Sequence, residues 1–174
     1  MIVCIVSIDH YLQYVEAEAD SDALRASKER LRAILLELLG AGKVGVIFEE
    51  SSPAKPTIAQ ELAERSGVPW QNISMTKEER VSAGIFEALQ NRPGSPDLDD
   101  MNFWIEYRIP EDEIREAYFV RRIEEGTESD QKSLVLLGDM HVQEVADALS
   151  TRGHRVEIVQ ELVSKKRWAV LKEV

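Results

Sequence analysis

Apolar positions follow two periods along the chain. Residues 2–7 (IVCIVS), 44–48 (VGVIF) and 133–137 (SLVLL) are short, nearly unbroken apolar runs. Such runs suit strands covered on both faces, as in a parallel sheet. Between them the period lengthens. Residues 22–39 carry Leu24, Leu31, Leu35 and Leu38 at helical spacing, and Gly40 and Gly42 stop the pattern. Residues 57–65 read as a helix closed by Gly67, and residues 76–90 as a helix whose Thr76 and Glu79 form a capping box. Pro110 opens a helix reaching about residue 124. A last helix covers residues 141–152, with Val142, Val145, Ala146 and Leu149 on one face and Gly153 at its end.

The remaining segments fill in around these. Residues 68–73 predict a short strand that Pro69 keeps at the sheet edge. Residues 154–159 predict another strand, and residues 167–171 a further one. Residues 9–22 read as a loop or loose helix, and residues 51–56 as a Ser/Pro-rich connection. Residues 91–100, with two Pro, one Gly and three Asp, form the most flexible loop the sequence offers. Strands alternating with helices predict an α/β fold in three layers, a mostly parallel central sheet flanked by helices. At 174 residues the chain suits one domain over residues 1–174.

Charge narrows the partners. Lys and Arg number 21 against 32 Asp and Glu, a net charge of −11. Nucleic acid and anionic membranes need a positive footprint, so neither is expected as a partner. No run approaches a membrane span, and residues 1–7 read as a buried strand and not a targeting signal. The one cysteine, Cys4, lies in that strand and reads as core, so the cytoplasm is the expected compartment. Nucleotide-binding glycine loops, the serine-hydrolase elbow and paired-cysteine motifs are missing from the sequence.

Chemistry concentrates where strands end. Asp9-His10, Glu49-Glu50 and Gly138-Asp139-Met140-His141 each follow an apolar run directly. In open parallel sheets, sites form beyond the C-terminal ends of strands. Two histidines and several carboxylates there could act as general base and orienting partner, or hold zinc, manganese or iron. Taken singly, each has a plain structural role open to it, Glu49-Glu50 as a strand-to-loop step and Asp139 as a cap. Arg115 on the helix after Pro110 could face inward, to pair with the glutamates or bind a substrate anion, or belong to a solvated face laced by Glu111, Glu113 and Glu116.

The pattern resembles the superfamily of erythromycin esterases, ChaN, TraB/PrgY and Tiki proteins. The matching residues are the intact Gly138-x-x-His141 after VLL, the Glu49-Glu50 pair in IFEES, and Arg115 in EIREAYFVRRI. The first Gly-x-x-His motif is altered to Ser7-Ile8-Asp9-His10. The chain is also shorter than typical members. The resemblance implies a site of His10, Glu49, Glu50, Arg115 and His141. It implies His10, His141, Glu49 and Glu50 as catalytic or divalent-metal-binding groups (manganese, zinc or iron), with Arg115 binding substrate. Members are similar to metal-independent esterases, metal-dependent peptidases or haem-iron binders, so the expected activity is hydrolysis of a small-molecule or peptide substrate. The rival expectation is a non-catalytic ligand-binding or regulatory protein on the same fold.

Overall fold

The computed structural model describes residues 1–15, 20–52, 55–85, 109–128 and 130–159. The predicted loop at residues 91–100 and the predicted strand at residues 167–171 lie outside these. Five strands form one sheet: β1 (Ile2–Ile8), β2 (Val44–Glu49), β3 (Trp70–Asn72), β4 (Lys132–Gly138) and β5 (Arg155–Val159). Their order is β3-β2-β4-β1-β5, and every pairing is parallel. The three apolar runs of the sequence are the three central strands, buried on both sides as their composition requires.

Helices cover both faces, giving the three-layer α/β architecture. On one face α1 (Asp22–Gly40) and α2 (Ile58–Ser66) pack Leu31, Leu35, Ile58 and Leu62 onto Cys4, Val6, Ile8, Ile47, Leu134 and Leu136. On the other, α4 (Ile109–Gly126) and α5 (Val142–Thr151) pack Phe119, Val120, Ile123, Val145 and Leu149 onto Val3, Ile5, Phe48, Val135 and Leu137. Strand alternation assigns neighbouring residues to opposite cores. Burying a side chain of this size contributes roughly 1.5–3 kcal/mol, so two apolar cores of this extent explain how the chain folds without a disulfide. Cys4 is buried, as expected, and burial pushes its thiol pKa up.

The helix termini follow local chemistry. Ser21 and Thr57 cap α1 and α2 through their side chains, and Gly67, in the left-handed region at φ 65°, closes α2. The capping box at Thr76 and Glu79 is present at the start of α3 (Lys77–Ser82). The helix predicted over residues 76–90 is interrupted at Ala83 and Gly84, Gly84 at φ 76°, and residues 86–90 lie outside the described residues. On α1 one buried position departs from the apolar pattern. Lys28 on α1 is buried with its ammonium on Asp20 at 2.6 Å and the Val15 carbonyl at 3.4 Å.

The connection after β1 runs under the start of α2. The Ile58 amide donates to the Gln13 carbonyl at 2.7 Å, and the Val15 amide to the Pro56 carbonyl at 3.3 Å. Topology then singles out one edge. From β1 the chain crosses to β2 by the α1 face, and from β4 it crosses to β5 by the α5 face. Adjacent strands whose connections depart in opposite directions open a crevice between their C-terminal ends. No described helix is long and apolar enough to cross a membrane.

Candidate functional site

The crevice at the ends of β1, β4 and β2 is where the polar strand ends meet. Register sets this up. Ile8 pairs with Gly138, and Glu49 pairs with Leu136, so His10, Glu50 and Gly138 emerge side by side. Gly138 is required by close approach. A Cβ there would lie 2.7 Å from His10 Nε2 and 3.4 Å from Glu50 Oε2. The space a side chain would fill is taken by the imidazole and the carboxylate.

Glu50 is the hub. It is buried, with Oε2 accepting from the Gly138 amide at 3.1 Å and Oε1 accepting from Arg115 Nη2. Arg115 also donates to Asp112 Oδ1 at 3.1 Å, and its guanidinium lies 5.8 Å over the Phe119 ring. His10 Nε2 approaches Glu50 Oε2 at 3.7 Å and His141 Nε2 approaches Glu50 Oε1 at 3.8 Å, both beyond direct hydrogen-bond distance. Arg115 thus pairs with the glutamate, the first of the three roles open to it.

The two histidines are oriented by different partners. His10 Nδ1 lies 3.0 Å from Gln13 Oε1, an oxygen that can only accept, so Nδ1 carries the proton and Nε2 keeps its lone pair. Gln13 is fully buried and anchored by donating to the Glu50 carbonyl at 3.2 Å. His141 Nδ1 lies 2.9 Å from Glu116 Oε1, which fixes the same tautomer. Its ring meets Phe119 edge-on at 5.5 Å. Exposure separates the pair: the His10 side chain is 48% exposed and that of His141 is 4%. His10 lines an open cleft of about 300 Å³ together with Tyr14, Glu50, Ser51, Arg80 and Arg115, whereas His141 sits behind that wall. A larger depression of about 670 Å³ between α3 and α4 holds none of the strand-end residues.

Glu49 stands apart from this cluster. Alternation turns its carboxylate to the face of Ile47, where Oε2 accepts from Thr57 Oγ1 at 2.6 Å and Trp70 Nε1 at 2.8 Å. Oε1 is buried with no hydrogen-bond partner. Burial pushes its pKa up to about 7, against the opposing pull of the Thr57 and Trp70 hydrogen bonds. The Glu pair of the sequence is therefore split across the sheet. Asp9 accepts from the Tyr11 amide at 3.0 Å within its own exposed turn.

Four residues of the site are not evident from sequence: Gln13, Asp112, Glu116 and Arg80. Asp112, Arg115, Glu116 and Phe119 fall at i, i+3, i+4 and i+7 and form one helix face. That spacing was the available signal, obscured by the high density of Glu on the helix. Glu116, expected on a solvated face, instead orients a buried histidine.

The expected metal donors do not share a coordination sphere. Glu49 points across the sheet, both Glu50 oxygens are engaged, and a guanidinium occupies the carboxylate a cation would need. Among the described residues no group of three or more His, Cys, Asp or Glu is placed to hold a metal ion. The residues as arranged do not fit a divalent metal. Compared with known proteins, the chain matches no family model, and no curated protein is significantly similar to it.

Proposed function

We propose that this protein is a hydrolase of small ester or amide substrates, with His10 as general base at the mouth of the β1/β4 crevice. The observation that carries the reading is the His10 tautomer. Gln13 holds the proton on Nδ1, so the Nε2 lone pair is free beside a cleft open to solvent. In the reaction His10 Nε2 takes a proton from water as the water oxygen bonds to the carbonyl carbon. The imidazolium then returns that proton to the departing alkoxide or amine as the carbon–heteroatom bond breaks, leaving acid and alcohol or amine. Gln13, on Nδ1, holds the ring in place through the step, and Glu50 Oε2 lies 3.7 Å from Nε2. Arg115 and the Gly138 amide hold Glu50 in place, and Glu116 with Phe119 holds His141 behind it. The resemblance to the erythromycin esterase superfamily points to the same chemistry.

Steady-state hydrolysis of p-nitrophenyl esters tests this. His10→Ala should lower kcat/KM by about 10² to 10⁴-fold, the range for loss of a general base. A wild-type protein inert to such esters and amides, or a His10→Ala protein of full activity, would overturn the reading in favour of a binding protein.

A further inference from the structure

The cleft beside His10 contains a cation that has no counter-charge among the described residues. Its lining includes His10, Tyr14, Glu50, Arg80 and Arg115, of which Glu50, Arg80 and Arg115 carry full charges. Glu50 is matched by Arg115, which leaves Arg80 over. Arg80 lies on α3, whose neighbouring Glu79 is engaged elsewhere: its carboxylate accepts from the Thr76 amide and the Tyr118 hydroxyl, both at 2.7 Å. Among the described residues Arg80 forms no ion pair, and its Nε is buried without a hydrogen-bond partner. Ser51, on the same cleft wall, is 5% exposed, and its hydroxyl is likewise without a partner. A buried guanidinium nitrogen and a buried hydroxyl, both unsatisfied and both on one cleft, are uncommon in a folded protein, because each unmet group costs free energy. A negatively charged ligand in the cleft supplies the counter-charge that Arg80 lacks, beside the Ser51 wall.

We infer that Arg80 and Ser51 form an oxyanion-recognition subsite, so that the substrate is a small molecule carrying a carboxylate or phosphoryl group beside its scissile bond. This substrate class rests on the hydrolase reading, but the subsite itself does not. The protein's net charge of −11 repels anions at long range, which makes a local unmatched arginine the more selective device.

Isothermal titration of the full chain with inorganic phosphate, and separately with acetate, tests the subsite without turnover. Wild type should bind one equivalent in the millimolar range, and Arg80→Ala should weaken this by about tenfold or more, the loss expected for a charge-assisted hydrogen bond. Arg80→Lys should retain part of the affinity, and Ser51→Val should weaken it less than Arg80→Ala. Arg65→Ala, on the exposed surface of α2, serves as the control for general charge effects. Binding that survives Arg80→Ala, that falls equally in Arg65→Ala, or that wild type lacks at millimolar anion overturns the inference. If Arg80→Ala does not fold, Arg80→Gln and Ser51→Val decide it. A protein inert to every ester whose phosphate binding is lost in Arg80→Ala overturns the hydrolase and leaves the subsite standing. Preference among phosphate and acetate separates the two ligand sources.

Discussion

Glu49 and Glu50 are adjacent in sequence, end the same strand and are both buried, yet they lie in opposite electrostatic surroundings. Glu50 enters the α4/α5 face, where Arg115, the Gly138 amide and two histidines gather round it. Glu49 enters the α1/α2 face, where it meets only two neutral donors and one of its oxygens meets none. Burial alone therefore does not make a charged site. What distinguishes the two is a cation delivered from another layer of the fold, which among the described residues α4 alone supplies. The comparison teaches that a pair of strand-end carboxylates, read from sequence as one unit, is two different objects once alternation has placed them.

The sharpest way to break the comparison is to remove that cation. Arg115→Ala leaves Glu50 and Asp112 without their shared guanidinium, and breaking a buried pair from one side costs about 3–5 kcal/mol. Urea denaturation should show a loss of that size, and Glu50→Gln in the same background should recover part of it. A loss below about 1 kcal/mol would mean that the pair is screened like a surface bridge, and the contrast with Glu49 would fall.

A second test exploits the unmatched side. Burial raises the Glu49 pKa to about 7 from its ordinary 4.5. Between those values the folded state holds a proton that the unfolded chain has released. Glu49 therefore favours folding most below about pH 4.5, and that contribution is lost as pH rises to about 7. The loss amounts to about 3 kcal/mol at 1.36 kcal/mol for each pKa unit. Glu49→Gln cannot titrate. The stability of the variant relative to wild type should grow by that amount between pH 4.5 and pH 8, read from paired denaturation curves. A difference that stays flat with pH would show that Glu49 is ionised and compensated in the fold.

Much of this architecture was legible in the residues. Three apolar runs announced three doubly covered strands, and polar groups at their ends announced the crevice. Gly138-x-x-His141 and His10 were found because their neighbours are apolar and they are not. The remainder depends on information that periodicity does not carry. Which side of the sheet Glu49 takes depends on register, and an error of one residue exchanges the two faces. Gln13 is polar, lies in a loop and resembles any solvated residue. Only the pairing of residues 13–15 against the start of α2 buries it beneath His10. Arg80 sits in a helix expected to run on to residue 90. The break at Gly84, which the capping box at its other end does not foretell, leaves α3 a single short segment on the cleft wall.

The smallest expected effect sharpens the Glu49 side of the comparison. Trp70 Nε1 donates to Glu49 Oε2 at 2.8 Å, and this bond is stronger to a carboxylate than to a neutral acid. Trp70→Phe keeps an aromatic ring on the edge strand and removes the donor. At pH 8, where Glu49 is charged, the variant should lose about 1 kcal/mol from the missing hydrogen bond, in addition to a pH-independent loss of packing. At pH 5, where Glu49 holds its proton, the bond lost is the weaker one to a neutral acid, so the total loss should be smaller. Because that bond pulls the Glu49 pKa down, its removal should also move the pH window of the stability change upward. Paired denaturation at the two pH values separates the two contributions. An equal loss at both would show that Trp70 serves Glu49 as a packing neighbour and not as a donor to its charge, and the two faces of the sheet would then differ only in the arginine.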